Sequence, residues 1–196
     1  MVRAPERAST DCINQTIETN LKWINKKIQE IRSKPQAAEK KFVNGENFLY
    51  LGNYYKLKII DNRGLPFAFE NEFFLNRRYQ SNAKNLFVDW YKKKAKKIIL
   101  QRVSFYSKQT GLKCKKIRIT NAKSRWGSCS AKNNLNFAWR LIMAPLLVID
   151  YVVVHELAHS EHKNHSQKFW EKVNKLFPEF KTAKKWLKQN GYLLKI

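Results

Sequence analysis

"PLLVIDYVVVHELAHSEHKNHSQKFW" occupies residues 145–170 and holds all four histidines of the chain, at 155, 159, 162 and 165. Pro145 suits the first turn of a helix, and the run behind it is apolar nearly all round, which predicts a helix buried in the core. His155 and His159 are four apart, about 40° around a helix axis, so both imidazoles can grip one ion. Glu156 is one residue on, its carboxylate directed near the open side of such a site and not among the ligands. Zinc on neutral nitrogens is a strong Lewis acid and lowers the pKa of its bound water. The HExxH spacing thus predicts zinc on His155 and His159, with Glu156 as the base that readies water to attack a peptide carbonyl. The competing reading is two buried histidines satisfied by hydrogen bonds beside a surface glutamate. Against it stand the concentration of every histidine here and a helix too apolar to tolerate unpaired imidazoles cheaply.

A catalytic zinc needs a third protein ligand. On an unbroken helix His162 lies on the same stripe, but roughly 10 Å along the axis from His155, too far for three imidazoles to share one ion at about 2 Å. His165 is on the wrong face of a continuing helix, yet a turn at Lys163-Asn164 brings it back, and Asn164 tolerates the left-handed conformation such a turn can use. His165 is the favoured ligand; His162 and Glu171 remain alternatives.

Upstream of this helix, "KKIRIT" (115–120) alternates as a strand, "NAKSRWGSCSAKNN" is turn-rich, and "LNFAWRLIM" (135–143) reads as a second strand. The two are expected to pair as an antiparallel hairpin. Downstream, helices are expected near 166–176 and 179–190, the latter stopping at Gly191. Earlier still, residues 41–61 read as strands broken at Asn44-Gly45 and Gly52-Asn53. A turn at Asn62-Arg63-Gly64 leads into further short strands in "LPFAFENEFFL". Residues 81–110 read as a long helix with Leu86, Trp90, Ala95, Ile98, Ile99 and Val103 inward, ended by Gly111. An apolar stripe from Ile13 to Ile31 predicts an N-terminal helix over 11–32, with Pro35 just beyond it. The fold class is therefore α+β: a small antiparallel or mixed sheet packed against the buried HExxH helix, with additional N- and C-terminal helices. The expected division is an N-terminal helical extension over 1–35 and a catalytic domain over 36–196.

Composition bounds the remaining possibilities. No apolar run approaches the roughly 18 residues of a membrane span, and "MVRAPERASTDCINQ" lacks a secretory core, so no membrane role is expected. Cys12, Cys114 and Cys129 are widely separated, which predicts reduced thiols and a cytoplasmic location. With 39 basic against 15 acidic residues, the net charge is +24. Such a surface attracts polyanions, so nonspecific contact with nucleic acid is expected. A basic nucleic-acid-binding protein with a structural metal is the alternative function. Four protein ligands would favour it, and three plus exchangeable water favour the enzyme.

The segment "SRWGSCSAKNNLNFAWRLIMAPLLVIDYVVVHELAHSEHKNHSQKFW" (124–170) resembles the YgjP-like metallopeptidase family, a bacterial zincin-type group related to the WLM and SprT-like peptidases. "LYLGNYYKLKII" (49–60) is similar to that family's N-terminal strand region. The resemblance implies a zincin-like fold, a peptide or protein substrate, zinc on His155, His159 and His165, and Glu156 as general base. The third-ligand spacing equals that of metzincins, with His162 where they carry glycine. Relatives that act on DNA-bound proteins suggest, by analogy, a DNA-associated protease. By the same likeness the strand at 135–143 is expected beside the metal cleft as an edge that an extended substrate joins. Arg125, Trp126 and Arg140 are candidates to line that cleft. Cys129, in the same block, would close the site as a fourth ligand.

Overall fold

The computed structural model describes residues 4–5, 7–32, 38–61 and 64–196, which fall into two units divided after Ala37. Helix α1 (Thr10–Arg32) forms the first unit. Ser9 caps it by accepting the Cys12 amide at 3.3 Å. The expected stop at Pro35 and the expected boundary after residue 35 lie outside the described residues, as do Asn62 and Arg63 of the predicted turn.

The second unit opens with strands β1 (Asn47–Tyr50) and β2 (Asn53–Ile60), an antiparallel hairpin. At its turn Gly52 has φ +84°, and a Cβ there would lie 2.7 Å from a Pro145 side-chain carbon. Only glycine lets this turn press so closely on the start of the histidine-bearing helix. The amides of Leu51 and Gly52 donate to the carbonyls of Ile142 and Met143, each at 3.0 Å. Strands β3 (Phe67–Phe69) and β4 (Phe73–Asn76) complete a sheet of order β1-β2-β4-β3, with β2 and β4 parallel.

A 3-10 turn over Arg77–Asn82 leads into helix α2 (Ala83–Thr110), which Gly111 ends in the left-handed conformation at φ +75°. Its buried stripe is Phe87, Tyr91, Ala95, Ile99 and Val103, strictly four apart. Leu86, Trp90 and Ile98, expected inward, flank that stripe and are only partly buried. Phe87 and Tyr91 displace them: Phe87 stacks on Phe48 with centroids 4.2 Å apart, and the Tyr91 hydroxyl donates to the Leu49 carbonyl at 2.6 Å.

The second sheet corrects the expected hairpin. Strands β5 (Lys116–Thr120), β6 (Gly127–Cys129) and β7 (Asn134–Ala138) lie in the order β5-β7-β6. β5 pairs with β7 in parallel, and the antiparallel partner of β7 is β6, drawn from the turn-rich stretch. β7 is thus the central strand, and β6 holds the edge that the sequence assigned to 135–143. The strand also ends at Ala138. Residues Trp139–Met143 form a 3-10 turn whose Ile142 and Met143 carbonyls take the Leu51 and Gly52 amides, leaving no strand partner.

Helix α3 (Leu146–Ala158) follows, buried over nearly its whole circumference. Of its two buried acids, Asp150 is 7% exposed and is held by Arg102 of α2 through two bonds, Nε–Oδ1 at 2.5 Å and Nη2–Oδ2 at 2.8 Å. Helices α4 (Gln167–Leu176) and α5 (Phe180–Asn190) close the unit. As expected, α5 ends before Gly191, its C-cap, which is right-handed at φ −57° and opens a 3-10 turn over Gly191–Leu193. The architecture is α+β, with two small mixed sheets around a buried helix. Among the described residues no helix is long and apolar enough to cross a membrane.

Candidate metal centre

Helix α3 ends at Ala158, so His155 lies in its last turn and His159 is its C-cap, still right-handed at φ −66°. The chain then reverses without strain. The amides of Glu161 and His162 both donate to the Ala158 carbonyl, and a bend at Lys163 and Asn164 delivers His165. Asn164 has no positive φ, so the expected left-handed turn is corrected. The residues between His159 and His165 are enough to turn the chain with ordinary dihedrals.

This reversal brings His155, His159 and His165 together, one ligand nitrogen of each within 4.8 Å of the others. The Nε2 atoms of His155 and His165 are 3.0 Å apart. Nitrogens held tetrahedrally about 2.0–2.1 Å from one zinc ion lie roughly 3.4 Å from each other, so the three fit such an ion with only small adjustments. The Nδ1 atom of His159 lies 2.8 Å from the His162 carbonyl. A carbonyl can only accept, so Nδ1 carries the proton and the Nε2 lone pair is left for a cation. Phe169 stacks on the His159 ring at 4.4 Å, and Trp170 on the His165 ring at 5.6 Å, fixing both rings from α4.

The electrostatics favour neutral ligands. Burial, then the nearby His159, His165 and Lys184, push His155 down to about 3. Burial also lowers His159. The Nδ1 of His155 is buried without a hydrogen-bond partner, at a cost of about 1–3 kcal/mol. Two imidazole nitrogens facing each other beside such an atom suit a cation better than a core packing role.

Glu156 follows His155 on the last turn of the helix and is 5% exposed. Burial pushes its carboxyl up to about 8, and Arg125 partly offsets the rise. The strand β6 lies directly on it: a Cβ at Gly127 would meet Glu156 Cγ and Oε1 at 2.6 Å. The edge strand and the carboxyl therefore touch only because residue 127 has no side chain.

The other candidates separate. Arg125 lines a cavity of about 230 Å³ beside Gly127, with Thr120, Ser128 and Asn136. Trp126 and Arg140 line a second, larger cavity that shares Ala122 with the first. His162 contributes its carbonyl to His159, and Glu171 accepts from Gln167 at 2.8 Å. Neither belongs to the group of close ligand atoms, nor does Cys129, whose Sγ donates to the Ser130 carbonyl at 3.5 Å. Sequence reasoning passed over Gly127 and Asp150. A glycine inside a strand marks close backbone approach, and a lone acid in "LLVIDYVVV" demands a buried cation; both signals were present.

The family model described as YgjP-like, metallopeptidase domain, matches residues 1–190. No curated protein matches. Among solved structures, the metallopeptidase zymogen abylysin of Pyrococcus abyssi is similar at 25% identity. The match covers 44% of this chain and 86% of that one, with a TM-score of 0.39.

Proposed function

The chain belongs to the YgjP-like metallopeptidase family, and on that premise we propose that it hydrolyses peptide bonds with zinc on His155, His159 and His165 and with Glu156 as general base. The observation that carries the reading is the convergence of three imidazole nitrogens within 4.8 Å at the end of a buried helix, next to a buried carboxyl. Zinc bound there would supply a Lewis acid that polarises the substrate carbonyl and acidifies water.

The protein's own groups do the rest. The Nδ1–H bond of His159 to the His162 carbonyl holds the ring in the tautomer a ligand needs. Glu156 takes a proton from the attacking water and gives it to the leaving amine as the C–N bond breaks. Burial holds the Glu156 carboxyl above the ordinary range in the metal-free protein, and a bound cation would lower it toward neutrality, where it can both accept and release a proton. Strand β6 exposes one edge of its sheet beside Glu156, so an extended peptide can join it through main-chain hydrogen bonds. Arg125 stands near enough to oppose the rise in Glu156 and to meet negative charge developing on the substrate. A cytoplasmic location, with Cys12, Cys114 and Cys129 as free thiols, belongs to the same proposal.

The test is metal analysis and peptide cleavage of wild type and Glu156→Gln. The variant should bind zinc as wild type does and lose turnover; equal turnover would remove Glu156 from the mechanism.

A further inference from the structure

We propose that the basic cavity beside Trp126 is a substrate subsite that takes an acidic side chain within two residues of the scissile bond. The inference rests on the peptidase reading and names its substrate class. The cavity has a volume of about 640 Å³, inside the range usual for ligand sites. Lys84, Lys123, Arg140 and Lys195 line it, with Trp126 and Trp139 as aromatic walls; Ile196, which carries the main-chain carboxylate, also lines it, and no Asp or Glu side chain does.

Arg140 is the anchor. One of its Nη atoms donates to Asn121 Oδ1 at 3.0 Å, and its guanidinium lies over the Trp139 ring at 4.4 Å. Asn121 is itself fixed by the Trp139 indole N–H, which donates to the same oxygen at 2.9 Å. The guanidinium is thus held in one orientation with most of its donors still available, a fork that matches a carboxylate. Other arginines of this chain have such partners: Arg102 pairs with Asp150 and Arg77 with Asp61. Among the described residues, no carboxylate pairs with Arg140. Partial burial of that unpaired charge pushes its pKa down, as expected for a cation lacking its counter-charge.

Position supplies the link to catalysis. Trp126 immediately precedes Gly127, the residue that touches Glu156. Extended chains advance about 3.3 Å per residue, so a peptide laid along β6 passes the cavity mouth within one or two residues of the carbonyl that faces Glu156. A polynucleotide would need a groove that follows its backbone. A cavity opening beside the substrate strand suits one side chain.

The test uses the zinc-loaded full chain on a proteome-derived peptide library, with cleavage sites read by mass spectrometry. Charge-assisted pairing predicts about tenfold enrichment of Asp or Glu within two residues of the cut. Arg140→Gln and, on exposed positions, Lys123→Gln with Lys195→Gln should each reduce the acidic-to-neutral preference, through KM and not kcat. A second readout needs no turnover: tryptophan fluorescence of the Glu156→Gln protein titrated with a short glutamate peptide and its glutamine twin. The glutamate peptide should bind about tenfold more tightly, and less so at high salt. Cleavage without acidic preference, or equal affinity for the two peptides, overturns the subsite and leaves the peptidase standing. Selective binding with no cleavage by wild type keeps an acidic-peptide site at the cavity but sinks the peptidase, and with it the cavity's place beside a scissile bond.

Discussion

A carboxyl beside a metal-binding histidine must be buried enough to hold a proton and close enough to release it. Glu156 meets both conditions because it is 5% exposed and has glycine for a neighbour on β6. General acid–base groups contribute about 10²–10⁴-fold, so Glu156→Gln should lower kcat by that order with zinc content unchanged, as steady-state kinetics and metal analysis would show. Gly127→Ala should disable the protein by geometry alone. A Cβ placed 2.6 Å from Oε1 must displace the carboxyl, and kcat should fall while the histidines still bind zinc. The metal-free protein should also show two opposed pH slopes. His155 stays neutral down to about 3 against an ordinary 6.5, so the unfolded chain takes up the proton first and stability falls as pH drops below 6.5. Glu156 holds its proton up to about 8 against an ordinary 4.5, so the unfolded chain releases first and stability falls as pH rises from 4.5 toward 8. Thermal unfolding across pH should find the second slope flattened in Glu156→Gln and the first preserved. At this scale the sequence was informative about His155, Glu156 and His159, because helical spacing alone sets them side by side. His165 needed the chain reversal, and Gly127 was passed over because its three-residue strand lies in a stretch read as turns.

At the scale of elements, the site depends on α3 being held still. The bidentate pair between Arg102 and Asp150 pins it to α2 one turn before His155. Removing one member of a buried pair strands the other charge, at about 3–5 kcal/mol. Asp150→Ala, however, leaves Arg102 unpaired at a partly exposed position, so the unfolding free energy should fall by about 1–3 kcal/mol in chemical denaturation, more than an exposed pair such as Arg77 with Asp61 would cost. The helices were the legible part. Apolar patterning marked α2 and α3, and Gly111 ended α2 as its left-handed geometry requires. The second sheet was not legible in the same way. A three-residue strand inside "NAKSRWGSCSAKNN" carries too little alternation to be seen, yet it takes the antiparallel place beside β7 and leaves β5 the parallel one. Strand β7 stops at Ala138 because the turn of another hairpin claims the carbonyls beyond it, a tertiary fact that no local pattern encodes.

For the whole molecule, charge and catalysis are separate properties. A net charge of +24 attracts polyanions wherever lysines are exposed, and nonspecific affinity for nucleic acid should fall steeply between low and physiological salt. If peptide cleavage by the zinc protein is unchanged when DNA is added, that affinity is incidental to the activity. The central claim is narrower: three imidazoles, and no fourth protein group, hold one zinc ion. X-ray absorption at the zinc edge of the purified, zinc-loaded protein tests it directly. The account predicts three nitrogen ligands at about 2.0–2.1 Å with one oxygen from solvent, and loss of a nitrogen in His165→Ala. A sulfur ligand, a closed set of four protein ligands, or no ordered zinc would contradict it.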